Sequence, residues 1–460
     1  MPLSIPYLPP EVHHVIAQYI DRFDLPNYRL ANKAFAEIGT PELFQNITFH
    51  YSSASLARLT AIKQSEHLQK FVKVLTWDTN SWFLCGVKFF DEWQRYFNEK
   101  ARLFTKTYQP KCEHDHGIKL SKIAEDRQQW KNYVVNRPDE NETWCYCISH
   151  DFLADFSNLS KVFMVNGALV PDHRGLKKTG IRVLLSEDEP AIFARGVCLD
   201  TVGSNGSFDQ EPARLAFRNM YEHFGPYLKK LRVNALDWQS FFQYPRIPPM
   251  GAFDTLTSLH LQLTARSDCE YMSERFGVQY VRSQIREGNV AEFLARLLRL
   301  ESLRLDLEDH YAHDGSDGRR VYKAPSTVAD IFPLDHTWPN LRKLSLHHLD
   351  TTPHALLKLL GTHSATLKDM RLQHISLEVE ESNNRSWHQV LQKIRETLHL
   401  ERASLSGLLI SENKDDFWDL DDDEALGLAT AKYLVEGGEC PVPAVRLDLK
   451  WNDCVDTFIR

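Results

Sequence analysis

The sequence predicts a mixed α/β fold in which a short three-helix unit precedes an irregular solenoid of strand-and-helix repeats, broken early by a helical insertion. Three observations predict it. Leu8 to Phe44 holds three sets of helix start and stop signals in quick succession. An apolar-x-x-apolar-x-apolar triplet then recurs from the middle of the chain almost to its end, and the stretches between its clearer copies have helical spacing.

The first helix is predicted by Val12, Val15, Ile16, Tyr19 and Ile20, which share one stripe at helical spacing. Pro9 and Pro10 stand at its start, where a missing N–H costs little, and Glu11 suits the positive end of the helix dipole. Asp24 is the expected N-cap of a second helix with Pro26 in its first turn and Leu25, Tyr28, Ala31 and Phe35 on its apolar face. Gly39 is expected to close that helix, and Thr40 and Pro41 to open a third short turn carrying Leu43 and Phe44. A unit this small buries only a modest core, so its remaining apolar surface calls for a partner.

The order of these residues resembles an F-box. Leu8-Pro9 with Glu11 opens the motif, Ile16 and Tyr19-Ile20 follow, Asp24-Leu25 starts the second helix, and Arg29-Leu30, Lys33, Phe35, Pro41, Leu43 and Phe44 complete it. Phe35 stands where many members carry Trp, and His13 where an apolar residue is frequent. The resemblance implies that Leu8, Pro9, Ile16, Leu25 and Leu30 contact a Skp-type adaptor, and through it a cullin and its RING partner. The rest of the chain would then select a protein substrate for ubiquitin transfer. On this reading residues 1–50 are the F-box, 51–155 a first repeat-like strand plus an aromatic-rich insertion, and 156–460 the substrate-binding repeats.

The triplet is the one that marks a short strand along one face of leucine-rich repeats. Its copies are Leu228-Leu231-Val233, Leu256-Leu259-Leu261, Leu300-Leu303-Leu305, Leu341-Leu344-Leu346, Leu367-Met370-Leu372, Leu400-Ala403-Leu405 and Val442-Val445-Leu447. Weaker copies are Val72-Leu75-Trp77 and Leu159-Val162-Met164. Ala355-Leu356-Leu359-Leu360 and Val390-Leu391-Ile394-Leu398 supply helices between them, and a compact α/β domain is the alternative. Residues between the buried triplet positions point outward, which nominates His260, Gln262, Arg304, Asp306, Ser345, His347, Arg371 and Gln373 as substrate contacts, or as ordinary solvated strand surface. Phe89, Phe90, Trp93 and Phe97 predict an amphipathic helix in the insertion.

A net charge of −8 argues against general nucleic-acid binding, which needs a basic surface. No run approaches the roughly 20 apolar residues that cross a bilayer, and MPLSIPYLPP lacks the features of a secretory signal, so a cytosolic or nuclear protein with reduced cysteines is expected. Cys112, His114 and His116 with Cys145, Cys147 and His150 have zinc-ligand character but lack the usual knuckle spacing, so no metal or cofactor is expected and a zinc protein remains the lesser alternative. Asp419, Asp421 and Asp423 alternate like a calcium loop, yet Glu424 occupies the position that needs Gly; a solvated loop or helix cap is the expectation. With no phosphate-binding glycine loop, nucleophile elbow or zincin helix, the chain is expected to be a non-catalytic receptor subunit, or a scaffold that assembles no ligase.

Overall fold

In the computed structural model, Pro10 opens helix α1 (Pro10–Tyr19), with Pro9 as its N-cap and Glu11 in its first turn. The structure describes residues 8–20, 24–50, 53–78, 155–165, 216–218, 220, 227–241, 253–264, 282–307, 311–314, 319–322, 326–378, 386–411, 417–421 and 423–443. They belong to two compact units, Met1–Gly206 and Ser207–Arg460. That division falls inside the expected 156–460 range, because the strand that follows Leu159 pairs within the first unit.

The second helix ends earlier than the sequence predicts. Helix α2 (Leu25–Leu30) stops before Asn32, and helix α3 (Lys33–Gln45) then runs through Gly39, Thr40 and Pro41. Asn32 decides the break, since its side-chain oxygen accepts the Phe35 N–H at 2.9 Å and caps α3. Gly39 serves the packing and terminates nothing: a Cβ there would lie 2.7 Å from Arg29 Cγ. The missing N–H of Pro41 is tolerated beside Thr40, whose hydroxyl donates to the Ala36 carbonyl at 2.5 Å.

In the first unit the chain continues through β1 (Asn46–His50), α4 (Ser53–Lys63), α5 (Glu66–Gln69), β2 (Val74–Asp78) and β3 (Lys161–Val165). The three strands run parallel in the order β1-β2-β3. Ile47, Leu75 and Val162 align in one buried row and Phe49, Trp77 and Met164 in the next, so both weaker triplets lie on strands.

The second unit is built from β4 (Lys230–Asp237), β5 (Ser258–Thr264), α6 (Asn289–Ala295), β6 (Ser302–Leu307), the hairpin β7 (Tyr311–Asp314) and β8 (Arg319–Tyr322), and α7 (Val328–Ile331). It continues with β9 (Lys343–Thr351), α8 (Pro353–Thr362), β10 (Asp369–Leu377), α9 (Trp387–Thr397), β11 (Arg402–Ile410), β12 (Phe417–Asp419) and α10 (Glu424–Glu436). Its strand order is β4-β5-β6-β9-β10-β11-β12, all parallel except β12, which runs against β11. Every triplet from Leu228 to Leu405 leads into one of these strands, and its side chains are buried with the exception of Ala403. Val442 is buried, whereas the rest of its triplet lies outside the described residues, as do the aromatic helix expected at 89–97 and the Cys and His pairs between 112 and 150.

One backbone arrangement recurs at the foot of successive strands. The Lys229 carbonyl accepts the N–H groups of both Thr257 and Ser258, the Thr257 carbonyl those of Glu301 and Ser302, and the Glu301 carbonyl those of Arg342 and Lys343. Arg342 and Lys368 repeat it toward β10 and β11, and Lys73 does the same in the first unit with Ser160 and Lys161. Just before the strands a tight turn returns an N–H to the carbonyl three residues back: Leu159 to Phe156, Leu256 to Phe253, Leu300 to Leu297 and Leu341 to Trp338. These large residues are buried, a fourth apolar position of the repeat that the three-residue motif omits.

The core of the second unit begins with Phe217, Phe241 and Phe253, whose rings meet Phe293 at 6.2, 5.3 and 6.0 Å between centroids. Trp338 Nε1 donates to the Leu294 carbonyl at 3.1 Å and Trp387 Nε1 to the Ile410 carbonyl at 2.9 Å, which fixes both indoles in the core. His363 stacks on Trp338 at 5.1 Å, is 1% exposed, and neither ring nitrogen has a hydrogen-bond partner among the described residues.

Burial, assisted by His336 nearby, pushes the His363 imidazole from its ordinary 6.5 down to about 4. The folded state therefore holds this ring neutral, while the unfolded chain protonates it below 6.5. Its contribution to stability is complete above that pH and is lost as the pH falls toward 4. At pH 5 the deficit is about 2 kcal/mol by linkage. Denaturant unfolding of the wild type and of His363→Leu at pH 7 and pH 5 should show a smaller acid-induced loss in the variant; equal losses would exclude His363 as the cause.

Candidate interaction surfaces

Two sets of side chains, one in each unit, are candidates for contact with other molecules. In the first unit, Ala17, Leu25 and Ile38 form the buried centre of the helical bundle, flanked by Ile20, Tyr28 and Leu43. Ala17, which the stripe does not include, is the α1 residue that reaches this centre, because its small side chain lets the helices approach closely. The larger members of the stripe stay outside: Val12, Val15 and Tyr19 are 39%, 53% and 84% exposed. Ile16 is half-buried.

The residues expected at an adaptor surface accordingly separate. Leu8 and Leu30 are 41% and 83% exposed and Pro9 is exposed, but Leu25 is buried within the bundle and is committed to its stability. The two residues that depart from the F-box pattern, His13 and Phe35, meet each other. His13 packs on Phe35 at 4.5 Å, Phe35 stacks on Tyr28 at 4.7 Å, and the Tyr28 hydroxyl lies 3.4 Å from His13 Nδ1. Arg29 lies over the Phe44 ring at 5.7 Å, joining α2 to the end of α3.

In the second unit, parallel register assembles the outward positions into rows, since aligned residues point to the same side. Arg232, His260, Arg304, Ser345, Arg371 and Ser404 form one row. Gln262, Asp306, His347, Gln373 and Ser406 form the next, and Lys230, Ser258, Ser302, Lys343, Asp369 and Arg402 the one before. All eight nominated residues thus lie in two adjacent rows on one face. Asp306, Ser345 and His347 are buried there at 9%, 9% and 6% exposure, whereas the Arg304 and Arg371 side chains are 41% and 58% exposed.

Each buried member has a side-chain hydrogen bond, Ser345 with His347 and Asp306 with His348 on the neighbouring strand. His348 Nδ1 donates to Asp306 at 2.9 Å, and Ser345 Oγ lies 2.7 Å from His347 Nε2. Burial opposes ionisation of Asp306, but the His348 hydrogen bond and the neighbouring positive charges outweigh it and hold the carboxyl at about 2. Burial, reinforced by Arg304, pushes His260 down to about 3 and His347 down to about 4, so both rings are neutral near pH 7. The positive charge of the face therefore resides in its arginines and lysines.

At one end of these rows three strands change conformation together. His348 on β9, His374 on β10 and Gly407 on β11 have φ of 57°, 50° and 66°, and the two imidazoles stack at 4.7 Å. Sequence gives little warning of a left-handed histidine, since a positive φ usually falls to Gly or Asn. Leu408 N–H donates to His374 Nδ1 at 3.1 Å, and Gly407 N–H to Asp421 Oδ1 at 2.8 Å. Asp423 caps α10 through Leu426 N–H at 2.9 Å, and Asp419 accepts the Asp421 N–H at 3.0 Å. The alternating aspartates each serve a backbone N–H, and no group of metal-ligating side chains occurs among the described residues.

No protein-family model matches the chain, and no curated protein matches it. Among the described residues no helix is long and apolar enough to cross a membrane.

A Cβ at Gly407 would sit 2.5 to 2.6 Å from the His374 ring and would also strain the backbone. Gly407→Ala should lower the unfolding free energy by roughly 2 kcal/mol or more, read from the denaturant midpoint. Adding His374→Ala should return part of that loss by removing the clash while leaving the backbone strain. A fully stable Gly407→Ala would show that the strands relax freely at this level.

Proposed function

We propose that the chain is the substrate-recognition subunit of a Skp-cullin-F-box ubiquitin ligase. The N-terminal helices bind the Skp-type adaptor, and the outward face of the parallel strands, read as a degenerate leucine-rich-repeat solenoid, binds a protein substrate. One observation carries the reading. A three-helix bundle with the residue order of an F-box keeps Leu8, Val12, Val15, Tyr19 and Leu30 exposed, apolar side chains available to a partner. The role asks for no catalytic residue or cofactor: the receptor holds a substrate lysine near a ubiquitin thioester carried by another protein and acts by effective concentration. A cytosolic or nuclear location would accord with that role.

The test is direct binding of a purified Skp-type adaptor to the full chain and to a Leu8→Asp/Leu30→Asp variant. Both side chains are exposed, so circular dichroism and thermal unfolding should be unchanged. Burying a leucine contributes about 1.5–3 kcal/mol, so the double variant should bind at least a hundredfold more weakly. Wild-type protein that fails to bind the adaptor would leave a scaffold as the better account.

A further inference from the structure

The central outward row of the second unit alternates cations with neutral groups across consecutive strands: Arg232, His260, Arg304, Ser345, Arg371. Adjacent strands lie about 4.8 Å apart, so the arginines recur about every 10 Å, close to the rise of one three-residue turn of polyproline II. Their charge is incompletely offset. Arg304 and Arg371 form ion pairs with Asp306 and Asp369 at 3.6 Å, too long for hydrogen bonds, and Asp306 takes its hydrogen bond from His348. Arg232 donates to a neutral acceptor, Asn234, at 3.1 Å, and no carboxylate pairs with it among the described residues. Arg304 Nε is inaccessible and has no partner among the described residues. Burial and then the proximity of Arg304 lower the Arg232 guanidinium's affinity for its proton, a sign of like charges held together. Lys230, Lys343 and Arg402 in the adjoining row add further positive charge, in a chain whose net charge is −8.

We propose that this row receives an acidic segment of a partner protein in the polyproline II conformation, which returns to one face every third residue, laid across the strands with Asp or Glu at that spacing facing Arg232, Arg304 and Arg371. The inference deepens the receptor reading, on which it rests for calling that segment a substrate. A carboxylate reaches Arg304 through the exposed part of its side chain, and the neutral His260 and Ser345 between the arginines accommodate the intervening residues. A long nucleic acid is the wrong polyanion here, because the chain's overall negative charge opposes it beyond the row.

The probe is a display library of random, unphosphorylated dodecapeptides selected on the full chain and on Arg232→Ala/Arg304→Ala/Arg371→Ala, with unfolding curves confirming that the variant is folded. Selection on the wild type should enrich Asp and Glu at a spacing of three, by up to about fivefold per position as exposed ion pairs allow, and added salt should reduce it. The alanine variant should lose the enrichment. Arg304→Glu provides a second check that does not depend on the triple variant folding, because it should switch the central preference from acidic to basic. Absence of acidic enrichment, enrichment without the three-residue period, or enrichment that persists in the alanine variant would overturn the proposal. Adaptor binding measured on the same preparations separates the two readings: a chain that binds the adaptor but selects no acidic peptide loses only the inference, and one that selects the peptide without binding the adaptor loses only the receptor reading.

Discussion

A single carbonyl at the foot of each strand governs the parallel array. Lys229, Thr257, Glu301, Arg342 and Lys368 each accept two N–H groups from the start of the next strand. Because each carbonyl belongs to the residue that has just donated to the previous one, the relation passes from strand to strand and leaves little freedom to slip. A slip by one residue would invert every side chain, turning Leu303, Leu305 and their neighbours outward. The fixed register keeps the leucines in one buried layer and, by the same step, aligns Arg232, His260, Arg304, Ser345 and Arg371 outside it. The outward rows follow from the same constraint as the core.

This explains how much of the architecture was legible in the sequence. The triplets mark strands because leucines at those positions are held by the register and by burial together, even where the chain between copies varies in length. The fourth apolar position, at Phe156, Phe253, Leu297 and Trp338, was hidden by its changing identity, although its constant place three residues ahead of the triplet was available. Polar rows could be nominated by alternation alone, but burial within them could not: it depends on which neighbours register supplies, as Asp306 and His347 show.

The N-terminal helices show the opposite balance. Punctuation by Pro and Asp is local chemistry and placed α1 and α2 near their true starts, yet the start of α3 at Asn32 was missed and Gly39 was misread because its role comes from Arg29 on another helix. Hydrophobic spacing found the stripe on α1 without revealing which way it faces. Size misleads there: Ala17 enters the bundle, and the larger Val15 and Tyr19 remain in water. A sequence pattern that promises a core can therefore describe a surface, and the distinction rests on packing partners far along the chain.

The antiparallel strand β12 has a consequence for how such an array can change in length. Each parallel strand begins beside a foot carbonyl able to seat the next strand, so insertion of a further strand-and-helix unit between β4 and β11 preserves every local rule. Beyond β11 the chain reverses, and Leu408, Leu409 and Ile410 spend their edge on Asp419, Trp418 and Phe417. Growth by added strands is thus permitted within the series and obstructed where β12 lies, which also shields part of an edge that would otherwise recruit strands from other molecules.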